Sequence, residues 1–338
     1  MKRTIIAMGA LCLTLGGVSA HAAEVNLYTT REPNLIRPLL ERFTEQTGTT
    51  VNTVFVRGGL AERIAAEGSR SAADVAMVVD IGNLMELVDR DLSQPVQSPM
   101  LEAAIPANLR APDGRWFALS TRARAIYVSR DRIPPDEAAK LTYEDLADPR
   151  FRGRVCIRSG QHPYNTALFS ALLLQNGESW LRDYLTGLKA NLARRAAGGD
   201  REVARDIMAG VCDVGVANTY YVGLMLTGRG GDEQRRWGQA VRVVLPAKGA
   251  AVNISGAVVA RHAPNRAEAI RLLEFLASPE AQSLYAEVNF ENPVRADAPL
   301  SPIVAGFGTL RVGTTPLPEI AAQRSRASRI VDEVGFDR

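Results

Sequence analysis

The sequence predicts an α/β protein whose two lobes are joined by a pair of extended strands. Helix-like and strand-like segments alternate along most of the 338 residues, which is typical of open sheets covered by helices. The chain is also longer than one hydrophobic core usually accommodates. Two extended runs, near 120–125 and 247–255, contain little turn chemistry and are predicted to cross between the lobes as a hinge.

The first part of the chain predicts a βαβαβ unit. Apolar residues recur at helical spacing between Leu35 and Phe43, and Gly48 marks the end of that helix. Ligands of open sheets bind beyond the carboxyl ends of the strands, here residues 29–34, 57–60 and 80–83. The predicted elements are strands at 24–30, 51–56 and 73–80 and helices at 34–48 and 58–71.

A second βα series follows the run "RWFALSTRARAIYVSRDRI", which is read as the first hinge strand. "VNISGAVVARHAPN" is the second extended run, and a Pro-containing stretch at 293–318 is predicted to be a surface connection. The predicted elements of this series are strands at 153–159 and 211–218 and helices at 164–177, 178–191, 200–210, 266–288 and 317–335.

The N-terminus has the features of a secretory signal peptide. Lys2 and Arg3 precede a mostly apolar stretch, and Ala20-His21-Ala22 is a small-residue cleavage pattern. Cys12 lacks the preceding small residue of a lipoprotein site, so no lipid anchor is predicted. Cleavage after Ala22 or Ala23 would leave about 315 residues, in which no apolar run is long enough for a membrane span. We therefore predict an exported, periplasmic protein.

Charge and cysteine content narrow the functional classes. Removing the leader takes away two basic residues and no acidic one, so the formal net charge falls from +3 to +1. This balance gives no electrostatic argument for binding nucleic acid or an anionic membrane. Cys156 and Cys212 are the two remaining cysteines, and in an oxidising compartment we predict that they form a disulfide.

Catalytic and common metal-binding motifs are missing from the sequence. There is no H-E-x-x-H, no G-x-S-x-G and no P-loop, and the two mature histidines, His162 and His262, do not form a cluster with cysteines. Zinc prefers Cys and His ligands, and calcium needs a dense set of oxygens. A secreted enzyme of two-lobed architecture is therefore disfavoured.

Tyrosines and arginines are the polar residues left at the predicted cleft. Tyr220 and Tyr221 follow a strand, and two adjacent rings can converge only if the strand has ended and the backbone turns. The alternative is one ring in the core and one on the surface. Tyr164 begins a helix after a strand of the same lobe. Arg31, Arg122 and Arg124 are expected opposite these phenols.

Several segments carry a resemblance to a known family. They include "LYTTREPNLIRPLLERFTEQTG", "SRSAADVAMVVD", "YEDLADPRFRGRVCIRSGQHPYN", "ANTYYVG" and "NISGAVVARHAPNRAEAIRLLEFL". In order and spacing the chain, from about residue 24 to its C-terminus, resembles the periplasmic ferric-iron-binding proteins of ABC importers. The resemblance implies the two-lobed periplasmic-binding-protein fold, a ferric ion held by tyrosine phenolates, and delivery to an inner-membrane permease. It also implies no catalytic activity.

By this resemblance the ligands are Tyr164, Tyr220 and Tyr221. Some family members also carry His and Tyr just after the first strand, as "RHY", where this chain has Glu32 and Pro33. Proline cannot ligate, so coordination positions are left open. The chain therefore resembles the branch in which a synergistic anion, usually carbonate, completes the octahedron.

The resemblance gives Arg31 as the partner of that anion, with Arg122 or Arg124 adding charge, because a guanidinium fork fits a planar oxyanion. Backbone amides at the start of the helix at Tyr164 could contribute as well. Four further residues are candidates for supporting contacts, either as ligands or acceptors near the metal or as ordinary solvated or loop-orienting side chains: Glu32, Asp80, His162 and Asn218.

The predicted organisation is a signal peptide at 1–23, an N-lobe at 24–122 plus 250–298, and a C-lobe at 123–249 plus 299–338. The predicted function is a monomeric periplasmic receptor that closes around Fe(III) and an anion. The alternative from the same fold is a receptor for a small organic or phosphorus-containing anion, with the arginines as its grip and the tyrosines as walls.

Overall fold

The computed structural model describes residues 23–311 and 315–338, so the predicted leader, including its cleavage site, lies almost wholly outside the described residues. Within them the chain forms nine strands and fifteen α-helices. The strands are β1 Glu24–Thr29, β2 Thr50–Phe55, β3 Val75–Val78, β4 Ser93–Gln94, β5 Phe117–Ser129, β6 Val155–Cys156, β7 Val214–Asn218, β8 Val241–Val244 and β9 Val252–Ala260.

The helices follow the predicted alternation and add several short ones, but the predicted helices at 266–288 and 317–335 are each divided. They are α1 Pro33–Thr47, α2 Leu60–Glu67, α3 Ile81–Asp89, α4 Pro99–Ala104, α5 Pro135–Ala138, α6 Pro163–Asn176, α7 Glu178–Ala190, α8 Asp200–Met208, α9 Tyr220–Leu226, α10 Asp232–Ala240, α11 Arg266–Leu276, α12 Pro279–Leu284, α13 Pro302–Ala305, α14 Leu317–Ala322 and α15 Arg324–Glu333. In the described residues no helix has the length and apolarity that crossing a membrane requires.

The strands form a continuous sheet in the order β2-β1-β3-β9-β5-β7-β6, with β4 added beside β9 and β8 beside β5. β1 pairs in parallel with β2 and β3, which gives the predicted βαβαβ unit. Buried Val25 and Leu27 of β1 pack under helices because both faces of a parallel sheet are covered.

β5 belongs to both parts of the sheet. Its first half, Phe117–Ala123, pairs antiparallel with β9, and its second half, from Arg124 onward, pairs antiparallel with β7 and β8. β9 in turn pairs with β3 of the first part. The two extended runs thus pass between the two half-sheets at the positions predicted for the hinge.

Apolar side chains gather separately on the two sides of this crossing. The first core contains Leu27, Phe43 and Leu273, and the second contains Phe169 and Leu185. α14 packs with the first core and α15 with the second, so the C-terminal helices contact both. The predicted lobe boundaries place all of 299–338 with the second half, and these boundaries stay a prediction.

Cys156 and Cys212 are joined in a disulfide, with Cα atoms 5.9 Å apart, as predicted. Both are buried, and they pack with Val203, Ile207 and Trp237 in a small cluster beside the second core. The bond fastens β6 to the turn before β7. These are the two strands whose carboxyl ends lead to Tyr164 and to the Tyr220-Tyr221 pair.

Candidate metal centre

The sheet ends bring the predicted residues to one cavity of about 710 Å³ between the two halves. Its walls come from the ends of β1 and β3, the middle of β5, and the starts of α6 and α9. Among the predicted site residues the lining includes Arg31, Glu32, Asp80, Arg122, His162, Tyr164, Tyr220 and Tyr221.

Tyr220 and Tyr221 converge because the chain stops being a strand before it reaches them. β7 ends at Asn218, and α9 begins at Tyr220, so both rings project from the first turn of a helix. The two ring centroids are 4.1 Å apart. Tyr220 is buried and Tyr221 is half-buried, and both line the cavity. The alternative of one core ring and one surface ring is therefore wrong.

Tyr164 reaches the same cavity from the first turn of α6. Pro163 occupies the start of that helix, where its missing N–H costs nothing. His162 caps the helix, since its Nδ1 accepts a hydrogen bond from the backbone N–H of Tyr164 at 3.2 Å. Its ring packs edge-on against Tyr164 at 4.6 Å, and burial lowers the pKa of His162 to about 3. His162 is thus a neutral cap.

Two of the phenols, Tyr220 and Tyr221, are held in an environment that favours the protonated form in the absence of a cation. Burial raises the pKa of Tyr220 well above its usual value, and the neighbouring phenols Tyr164 and Tyr221 raise it further. Burial likewise raises the pKa of Tyr221. A bound cation can reverse this balance, because a metal stabilises the deprotonated form of its ligand.

Arg31 and Arg122, which line the cavity, share one buried serine. Their guanidinium groups both donate to Ser255 Oγ, at 2.6 and 2.8 Å, and Arg31 also pairs with Glu291 at 2.7 Å. Burial disfavours the charged Arg31, but Glu291 more than offsets this and raises the pKa of Arg31. Arg122 lies 5.4 Å from the centre of the Tyr164 ring.

Arg124 and Asn218 do not line the cavity. Arg124 is buried in the second half, where it donates to Asp200 at 2.7 Å, to Asn165 at 2.6 Å and to Asn218 at 3.1 Å. Asn218 also donates its backbone N–H to Asp200. This network fixes the end of β7 just before α9, so the structure places both residues behind the phenols.

The two acidic candidates differ in their surroundings. Glu32 is exposed at the cavity rim, at the N-cap position of α1. Asp80 is buried and caps α3, where its carboxylate accepts from the backbone N–H of Asn83 at 2.9 Å. Burial raises the pKa of Asp80, although this hydrogen bond and nearby arginines act against the shift. Asp80 is thus already engaged as a helix cap.

Sequence reasoning missed two cavity residues. Glu291 is buried and accepts from Arg31 and Ser120. Arg158 contacts Asp200 at 3.3 Å and lies 5.1 Å from the centre of the Tyr164 ring. A buried Arg31 calls for a buried acid, yet nothing local in the sequence identifies which one.

Other kinds of metal site are not formed in this part of the chain. In residues 23–311 and 315–338, no three His, Cys, Asp or Glu side chains come together in a way that could hold a metal ion. The anionic oxygens that the cavity can offer are therefore chiefly phenolates, with Asp80, Glu32 and Glu291 beside them.

Comparison with known proteins agrees with this architecture. Residues 71–305 match the family model of the bacterial extracellular solute-binding proteins. Iron uptake protein A1 of Synechocystis is 38% identical over 93% of this chain and 87% of its own length. These matches confirm the resemblance seen in the sequence.

Solved structures are similar over nearly the whole chain. A Bordetella ferric binding protein is 55% identical, covers 93% of this chain and 100% of its own, and superposes with a TM-score of 0.85. A Trichodesmium protein in complex with iron and citrate is 36% identical, covers 93% of this chain and 100% of its own, and gives a TM-score of 0.86. The predicted two-lobed fold is thereby confirmed.

Proposed function

The chain belongs to the bacterial extracellular solute-binding proteins, and from this premise we propose that it is the ferric-iron receptor of an ABC importer. Tyr164, Tyr220 and Tyr221 bind Fe(III) as phenolates, and the loaded protein delivers the ion to an inner-membrane permease. The named iron uptake and ferric-binding relatives support this assignment.

The observation that carries the proposal is the meeting of three phenols in one cavity. Fe(III) is a small, hard cation, for which anionic oxygen is a better ligand than thiolate or neutral imidazole. Three phenolates neutralise its charge. All three come from the second half of the molecule, so the principal ligands are preassembled before any movement of the first half.

An anion completes the site in this proposal. The cavity lining carries one more arginine than carboxyl groups, so an iron neutralised by three phenolates leaves a positive excess. The charged lining residues are Arg31, Arg57, Arg122 and Arg158 against Glu32, Asp80 and Glu291. Among the described residues, the buried Nε atoms of Arg31 and Arg122 also lack hydrogen-bond partners.

Carbonate fits this anion position because its planar oxygens match a guanidinium fork. The Trichodesmium neighbour, solved with iron and citrate, supports the presence of an anion beside the metal. Arg31 lies on the first half of the molecule, and the phenols lie on the second. Iron and anion together would therefore hold the two halves closed.

The remaining assignments follow from the same role. We assign the protein to the periplasm, with residues 1–23 as a cleaved signal peptide, and we treat it as a monomer without catalytic activity. It binds no nucleic acid and does not insert into the membrane. Arg124 and Asn218 keep the ligand-bearing strand in place rather than contacting the anion.

The test is titration of the purified protein with ferric citrate, followed by visible absorption. A phenolate–iron complex is coloured, whereas a receptor for an organic anion would stay colourless. Tyr220→Phe and Tyr221→Phe should each lower iron affinity by at least about a hundredfold, because each removes an anionic ligand. Arg31→Ala should lower it less, chiefly by loosening the anion.

Tyr184→Phe is a matched control. Tyr184 is a buried tyrosine of the second core, and its hydroxyl makes no hydrogen bond to the described residues. Its loss should leave both colour and affinity unchanged. Wild-type affinity in the Tyr220 and Tyr221 variants would refute the ligand assignment.

A further inference from the structure

One segment, Tyr285–Asn292, contacts both halves of the molecule beside the cavity. It begins with a π-helical turn, Tyr285–Asn289, and continues through Phe290, whose φ is +57°. A π turn and a left-handed phenylalanine are both unfavourable locally, and they persist only where surrounding contacts fix them. Such irregularities are frequent at ligand clamps.

On one side this segment holds the start of the first half. Asn289 donates its side-chain amide to the backbone carbonyl of Leu35 at 2.9 Å, near the beginning of α1. Glu291 pairs with Arg31 at 2.7 Å and also accepts from Ser120. The position of Arg31, the proposed anion contact, is therefore set by this segment.

On the other side the segment presses on α9. A Cβ built on Gly223 would lie 2.2 Å from Cγ of Phe290, so only glycine leaves room for this ring. Arg229, which follows α9, donates to the carbonyl of Val288 and lies 5.4 Å from the centre of the Phe290 ring. The left-handed backbone of Phe290 is what directs the ring into this contact.

The ring joins a small apolar cluster that contains a proposed ligand. Phe290 is buried together with Tyr220 and Leu224 of α9, Leu35 of α1 and Val304 of α13. This cluster is distinct from the two main cores, and it brings together α1 of the first half and α9 of the second. Phe290 therefore packs with Tyr220, and the next residue, Glu291, pairs with Arg31.

We propose that Tyr285–Asn292 is a coupling clamp, in which Phe290 positions α9 and Glu291 positions Arg31, so that anion binding and iron binding strengthen each other. The inference rests on the proposed function. Phe290 and Gly223 are positioning residues, since neither offers a ligand to the metal. Phe290 and Glu291 are consecutive in the chain. A shift of α9 against Phe290 therefore also displaces Glu291 and the Arg31 that it holds.

Ordinary core packing makes a different prediction. If Phe290 only filled space, its truncation would lower stability without changing how the anion affects iron binding. If the segment couples the two sites, truncation reduces the factor by which the anion raises iron affinity. By linkage that factor is the same whichever ligand is added first.

The experiment measures iron affinity by the visible band, with ferric nitrilotriacetate as the iron source, in the absence and presence of saturating bicarbonate. In the wild-type protein bicarbonate should raise the affinity. Typical coupling factors begin at about fivefold, and in Phe290→Ala this rise should fall towards no effect. Phe290→Leu, which keeps apolar volume, serves if the alanine variant does not fold.

Gly223→Ala is the second variant. Alanine favours a helix over glycine, so a reduced bicarbonate effect in this variant would come from its collision with Phe290. Adding Phe290→Ala to Gly223→Ala removes the ring atoms from the collision and leaves only the Cβ of residue 290, 2.5 Å away, so the two changes should be non-additive. Phe275→Ala is the control, because it truncates a buried phenylalanine of the first core on α11.

The outcomes separate the two claims. A full wild-type bicarbonate effect in both Phe290→Ala and Gly223→Ala would overturn the clamp, as would an equal reduction in Phe275→Ala. A coloured wild-type protein without any bicarbonate effect would overturn it too. A wild-type protein that never develops the visible band would instead overturn the proposed function, and the clamp with it.

Discussion

Removing the disulfide should destabilise the second half of the molecule strongly while sparing the iron site. The change is the pair Cys156→Ala and Cys212→Ala. The bond links residues 56 positions apart, and both cysteines are buried. Closing a loop of this length in the unfolded chain removes about 14 cal/mol/K of entropy, which corresponds to about 4 kcal/mol at 25 °C.

The iron site should be spared because other contacts keep its strands together. Val155 and Cys156 of β6 pair in parallel with Val214 and Gly215 of β7, and these backbone bonds remain after the substitution. A methyl on Gly215 would lie 2.4 Å from the carbonyl oxygen of Cys156, so the strands are already in close contact. Native-state iron affinity should therefore change little.

The assay is urea unfolding of the double variant and the oxidised wild type, with fluorescence of Trp237, which packs beside the disulfide, as one probe. Wild-type protein whose disulfide has been reduced under mild urea should unfold at the same urea concentration as the variant. A loss below about 1 kcal/mol would refute the loop-entropy argument. If the double variant is fully folded and still loses much of its iron affinity, the claim that the pairing of β6 with β7 is enough to hold the iron site is refuted.

Three further predictions concern charge. Iron affinity should rise with pH below 8, with a limiting slope of about three in log K, because three phenol groups, a type whose unperturbed pKa is about 10, must lose protons on binding; a slope near one would contradict the ligand set. Partial burial raises the pKa of Asp213, but the arginines around it lower the pKa more. The ionised Asp213 therefore stabilises the protein at pH values above its unfolded pKa near 4, and this contribution is lost as the pH falls through its folded pKa. Asp213→Asn should flatten the loss of stability in acid, measured by melting curves from pH 2.5 to 6, and an unchanged profile would count against this role. Asp200→Ala leaves Arg124 buried and unpaired, and should cost about 3–5 kcal/mol in urea unfolding; a neutral result would show that Arg124 finds another partner.

Much of the fold was predictable because its periodic signals are strong. α1 has its apolar residues on one face and ends at Gly48, as its spacing indicates. The predicted helix at 266–288 is wrong in its continuity. Ser278 caps a new helix at Pro279, since proline cannot donate the next helical bond and restricts the residue before it.

α9 was missed for a different reason. Apart from Tyr221, which is half-buried, its residues from Tyr220 to Met225 are buried, so no polar face reveals a helical period. The sequence nevertheless indicated that the strand must end before two adjacent tyrosines could share a site. The local turn was predictable from this requirement, but the helix was not.

The partners of buried charges were the least predictable feature of the site. Arg31 and Glu291 are 260 residues apart, and Arg124 and Asp200 are 76 apart. Neither pairing leaves a trace in local sequence, because only the assembled sheet brings the residues together. Both Arg122 and Arg124 were expected in the cleft. Arg122 lines it, whereas Arg124 does not.

The change of partner within β5 determines where the molecule can flex. Ala123 is the last residue paired with β9, and Arg124 is the first paired with β7. A pivot at this point lies inside a hydrogen-bonded strand rather than in a loop, so we expect opening to twist β5 rather than to separate the halves. In β5 the turning point carries only the methyl group of Ala123, which does not line the cavity, so we expect a larger side chain there to resist the motion without touching the bound cargo.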